Sequence, residues 1–135
     1  MEIRELIEKI VKEMEEKGGL KNVVWVAAGG SNDGHYAAQY FMDRESTAVR
    51  SQMITSSEFE FAAPKCIGEN TIAVITSMRG TKETIEAAKV AANMLMNQGL
   101  QKFAIIMFSM EVSGKTMRIR EERMREMHCE LQWQL

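Results

Sequence analysis

A chain of 135 residues, 45% of them hydrophobic, can bury one core of ordinary size, and its length does not ask for a second domain. The formal net charge is -2 with basic and acidic residues interspersed, which excludes the basic face that nucleic acid binding needs. Apolar stretches such as Phe103 to Phe108 fall far short of the roughly 20 residues of a membrane span, and the acidic amphipathic N-terminus is not a signal peptide, so a cytoplasmic protein is expected.

In chain order, Ile3, Leu6, Ile7, Ile10, Val11 and Met14 recur at helical spacing, and Gly18-Gly19 stops the pattern. This predicts an amphipathic lead-in helix within residues 1–20, ahead of a single domain over residues 21–135. Val23 to Ala28 is a continuous apolar run, the pattern of a strand covered on both faces at the centre of a parallel sheet. Gly29-Gly30-Ser31-Asn32-Asp33-Gly34 breaks it, and a helix follows from about Asn32 to Glu45. Ala48 to Thr55 is β-rich but mixed with polar residues, as suits a strand near an edge. Ser56 then serves as an N-cap for a short helix from about Ser57 to Ala63, closed by Pro64, the chain's only proline.

Thr71 to Thr76 predicts the next strand, and a long helix runs through Asn97 to Gly99, which acts as its C-cap. Phe103 to Phe108 is the fourth strand. Met117 to Met127, rich in Arg and Glu, reads as a salt-bridged solvated helix, and Cys129 to Trp133 alternates like a closing edge strand. Strands alternating with helices cross over right-handedly, which predicts an α/β fold: a three-layer αβα sandwich around a parallel sheet of about five strands.

In such sheets ligands bind beyond the carboxyl ends of the strands, where the strand order reverses. Two strand-to-helix turns reach that edge. One offers Gly29, Gly30 and Ser31; the other offers Ser77, Arg79, Gly80, Thr81 and Thr84. Glycines expose backbone N–H groups, the following helix presents its positive end, and the hydroxyls add donors, so the combination suits a phosphomonoester. Arg79 can add a charge-assisted bond. Without Gly-x-Gly-x-x-Gly spacing or a terminal Gly-Lys-Ser/Thr, neither a dinucleotide nor a nucleotide P-loop gains support. The competing reading of these Ser and Thr residues is helix capping alone.

Asn32 and His35 open the first helix and are candidate ligand contacts, though a histidine there is more often a solvated side chain. Glu58 is the best placed carboxylate for a general base, a role that requires a raised pKa. Cys66 and Cys129 stand apart with no Cys-x-x-Cys, so reduced structural thiols are expected, with no metal and no cofactor. The 12 methionines, among them Met14, Met94, Met107 and Met127, read as flexible core filler.

Val23 to Ala92 resembles the sugar isomerase, or SIS, domain, a flavodoxin-like phosphosugar-binding module, and most of all the first domain of the fructosamine deglycases. Ala28-Gly29-Gly30-Ser31, Ser57-Glu58-Phe59 and Ser77 to Ala88 carry the likeness. The resemblance implies that Ser31, Ser77 and Thr81 bind a sugar phosphate such as fructoselysine 6-phosphate, and that the domain pairs as a dimer or with a second SIS domain. The family turn reads Ser-x-Ser-Gly-x-Thr-x-x-Thr; here Arg79 replaces the second serine, and one residue fewer separates Gly80 from Thr84. Deglycases of this type carry two such domains, with the catalytic Glu and His in the second, so this domain resembles the non-catalytic half. Two functions are therefore expected to compete: part of a phosphosugar deglycase or isomerase, and a phosphosugar-sensing or dimerisation module.

Overall fold

The computed structural model describes residues 3–77, 81–98 and 104–109. Helix α1 (Ile3–Glu15) leads into β1 (Asn22–Ala27), α2 (Gly30–Glu45), β2 (Arg50–Thr55), α3 (Ser56–Ala62), β3 (Thr71–Ser77), α4 (Lys82–Asn97) and β4 (Ala104–Ser109). The four strands form one parallel sheet in the order β2-β1-β3-β4. The expected helix over Met117–Met127 and the strand over Cys129–Trp133 lie outside the described residues, as does Gly99.

That order explains where the helices lie. From β1 the chain moves outward to β2, then jumps back over β1 to β3 and continues to β4. Right-handed crossovers running in opposite directions place their helices on opposite faces. Side-chain alternation along the strands agrees. Val23, Ile72 and Val74 pack with Ile10 and Met14 of α1, and Trp25 and Met42 join them. Val24, Val26 and Ile75 pack on the other face with Phe59 of α3 and Ala87, Ala88, Ala91 and Leu95 of α4. The alanine-rich face of α4 lets its backbone approach the sheet closely. Helices on both faces of a parallel sheet make the expected three-layer αβα sandwich.

Element boundaries shift slightly from the sequence reading. Helix α2 starts at Gly30 rather than Asn32, and β2 starts at Arg50 rather than Ala48. Helix α3 is capped by Thr55, one residue before the expected Ser56, because the Thr55 hydroxyl accepts from the Glu58 N–H. Freed from capping, Ser56 turns into the core, where it is fully buried. Met14 is buried and Met94 packs at the core margin, as filler residues do. Cys66 is a free thiol whose Sγ accepts from Gln52 Nε2 at 3.2 Å.

One tie was not visible in the sequence. The Asn70 side-chain amide donates to the carbonyls of Lys17 and Gly19, at 2.9 and 2.7 Å, while the main-chain carbonyl of Asn70 accepts from the N–H groups of Lys21 and Asn22. This side chain fastens the turn after α1 to the start of β3, so the lead-in helix is anchored to the domain.

Candidate functional site

The strand order reverses between β1 and β3, so the two chains diverge to opposite faces as they leave the sheet, and a crevice opens between them. The register sets Val26 beside Ile75, so Gly29 to Ser31 and Ser77 emerge side by side from one carboxyl edge. The sequence reading placed both turns on this edge, and the topology makes them neighbours.

At the first turn Gly29 adopts φ 57° and ψ -132°, a conformation essentially closed to residues with a Cβ. It serves as the N-cap of α2 and has no side chain to cover the first-turn amides. Asn32 and Asp33 direct their N–H groups back to the Gly29 carbonyl at 2.9 and 3.3 Å. Gly30 is exposed and Ser31 half-buried at the mouth of the turn.

At the second turn Ser77 is buried at the end of β3, and its Oγ accepts from the Thr81 N–H at 3.2 Å. Thr81 is the N-cap of α4, but its hydroxyl makes no capping bond; it pairs instead with Thr84 Oγ1 at 2.9 Å. Thr84 Oγ1 in turn pairs with Ser56 Oγ of α3, also at 2.9 Å. A chain of hydroxyls therefore runs from the exposed Thr81 down to two fully buried residues. Thr84 lies beneath Thr81, with its hydroxyl engaged on both sides: it braces the turn from below, where the sequence reading made it a ligand contact. Arg79 and Gly80 lie outside the described residues.

The three helices that follow strands begin differently. Helix α3, which follows the edge strand β2, has a complete capping box: Glu58 Oε2 accepts from the Thr55 N–H at 3.2 Å and from the Thr55 hydroxyl at 2.9 Å. Helices α2 and α4, which open at the crevice, have no side-chain cap. The amides ahead of those that turn back to the Gly29 and Thr81 carbonyls are left for water or a ligand, and the helix dipoles favour an anion there. Asp33 and Glu83 occupy the first turns, so among the described residues an anion would meet amides and hydroxyls here. Glu58, the expected base, is exposed and engaged in its own helix cap.

His35 reaches across the crevice floor from α2. It is buried, its Nε2 lies 2.9 Å from Thr76 Oγ1, and its ring stands 5.3 Å from that of Trp25, tilted by 49°. Burial holds its pKa below the ordinary imidazole value, because the charged form would lose its hydration. The sequence reading gave His35 either a solvated or a ligand-facing place; the structure puts it inside, linking β1, β3 and α2. The alternation of β3 held the signal, since Thr76 falls on the α2 face of the strand. The 550 Å³ cavity lined by Asn22, Arg50, Gln52 and Cys66 lies at the amino ends of β1 and β2, away from this edge.

A parallel sheet in the order 2-1-3-4, with glycine and hydroxyl turns at its switch point, defines a flavodoxin-like α/β domain. No protein-family model matches the chain. Over 73 residues, 53% of this chain and 22% of the relative, it is 36% identical to fructosamine deglycase FrlB of Bacillus subtilis strain 168. A crystal structure from Salmonella typhimurium LT2, described as a phosphosugar isomerase, superposes with a TM-score of 0.63 at 31% identity, over 75% of this chain and 28% of that one. A Bacillus subtilis structure of the same description gives 0.55 at 25% identity, over 76% and 29%. The C-terminal domain of glucosamine-fructose-6-phosphate aminotransferase from Francisella tularensis, 19% identical with a TM-score of 0.54, shares the fold over 76% of this chain and 27% of that one. The chain is a sugar isomerase (SIS) domain similar to those of these proteins, and it spans between 22% and 29% of their length. Among the described residues no helix is long and apolar enough to cross a membrane.

Proposed function

We propose that this domain binds a phosphosugar at the carboxyl edge of β1 and β3, as part of a sugar-phosphate deglycase or isomerase acting on fructosamine 6-phosphates such as fructoselysine 6-phosphate. The observation that carries this is the pair of uncapped helix starts meeting at one crevice, with Ser31, Ser77 and Thr81 beside them. The likeness to a fructosamine deglycase supports the choice of sugar. In this reading the phosphate sits on the amides of both turns, and Arg79 and Gly80 belong to the same cradle. Anchoring the phosphate orients the sugar for a proton transfer between adjacent carbons, and orientation supplies much of the barrier reduction in such a step. A second SIS domain, or a second copy, completes the assembly.

A second reading, a sensing module that binds without turnover, is favoured by one feature: Glu58, the carboxylate expected to act as base, is committed to a helix cap. Thermal stabilisation by fructose 6-phosphate, glucosamine 6-phosphate and fructoselysine 6-phosphate, set beside inorganic phosphate, tests the shared claim. A ligand at 100 times its dissociation constant adds about 2.7 kcal/mol. Sugar-specific stabilisation that Ser31→Ala weakens supports binding here, and turnover of the same compounds separates enzyme from sensor. No stabilisation by any of them refutes both readings.

A further inference from the structure

Among the described residues, the buried side-chain polar atoms without a hydrogen-bond partner are Asn32 Oδ1 and His35 Nδ1. They stand three residues apart on α2, a spacing that makes neighbours on a helix surface. His35 is 7% exposed, and its other ring nitrogen is held by Thr76. Native interiors rarely leave such atoms unpaired, and two adjacent orphans beside a proposed ligand cradle suggest one shared partner.

We propose that Asn32 and His35 form a subsite that takes one hydroxyl of the bound sugar, a claim that rests on the phosphosugar reading above. The carbonyl of Asn32 is an acceptor only, so the hydroxyl donates its proton to Oδ1. The hydroxyl oxygen then accepts from His35 Nδ1–H. That assigns the tautomer: with the proton on Nδ1, Nε2 accepts from the Thr76 hydroxyl, and the neutral imidazole matches the effect of burial on this group. Trp25 against the ring keeps it in this orientation. The phosphate would thus be read by the amides at the start of α2 and the sugar by side chains of the first two turns of the same helix.

The two halves of the ligand allow the test. Methyl phosphate carries the phosphomonoester without a sugar hydroxyl; fructose 6-phosphate carries both. Asn32→Ala and His35→Phe should each weaken fructose 6-phosphate by about tenfold, the order expected for one hydrogen bond to a buried neutral partner. Methyl phosphate affinity should stay within about twofold. In the unaltered protein, the ¹⁵N resonance of His35 Nδ1 should move on adding fructose 6-phosphate and not on adding methyl phosphate. Equal losses for both ligands, or an unmoved Nδ1 signal in a protein that binds both, would overturn the subsite while leaving the phosphate cradle intact. Binding of neither ligand would overturn the cradle and the subsite with it. Variants that lower thermal stability with no selective loss of sugar would assign the pair to a structural water instead.

Discussion

Thr84→Val probes the brace beneath the second turn. Valine keeps the branched shape of threonine and replaces its hydroxyl by a methyl group, so packing around this fully buried residue is nearly conserved. Two hydrogen bonds disappear, to Ser56 Oγ and Thr81 Oγ1, each 2.9 Å in the native structure. The bond to the exposed Thr81 contributes about 0.5–1.5 kcal/mol. Ser56, itself fully buried, loses its partner, and an orphaned hydroxyl costs about 1–3 kcal/mol. The added buried methyl returns about 0.8 kcal/mol. The sum is a loss of about 2 kcal/mol, read as a lower urea midpoint at unchanged m-value. Ser56→Ala added to Thr84→Val removes the orphan, so the double variant should be about 1 kcal/mol more stable than the two single losses added together. A Thr84→Val midpoint indistinguishable from the parent, or a double variant that is simply additive, would refute the hydroxyl chain.

Three further outcomes are expected. Glu58→Gln keeps a carbonyl oxygen for the Thr55 amide and hydroxyl and should leave stability within about 0.5 kcal/mol, whereas Glu58→Ala should cost about 1 kcal/mol in urea unfolding. Gly29→Ala meets no atom within 4 Å of its new Cβ, so its cost is backbone strain alone, about 1–3 kcal/mol of folding stability or a rearranged turn with weakened phosphosugar binding. His35 has a folded-state pKa below its ordinary 6.5, so the unfolded chain takes up a proton first as pH falls. Its contribution is fully present above 6.5 and is lost as pH drops from there towards the folded value; His35→Phe should flatten that part of the stability–pH profile.

The architecture was legible because it rests on local pattern. Continuous apolar runs separated by amphipathic helices dictate buried parallel strands, and Gly29 could be assigned to a turn because only glycine reaches its conformation without strain. The resemblance of Gly29 to Ser31 and of Ser77 to Thr84 was likewise a matter of adjacent residues. The edge capping of α3 was half legible: the residues of its box stood in the sequence, but Ser56, Ser57 and Thr55 are equally good caps, and only burial of Ser56 against α4 chose Thr55.

The partners of the site side chains were beyond reach for a different reason. Thr84 meets Ser56 across 28 residues, His35 meets Thr76 across 41, and Asn70 reaches Lys17 across 53. Short-range periodicity states which face of an element is apolar, and so the layers follow from it. Which hydroxyl meets which ring depends on strand order and register, and those are settled when the chain crosses over β1 to lay β3 beside it and the two helix layers close on the sheet.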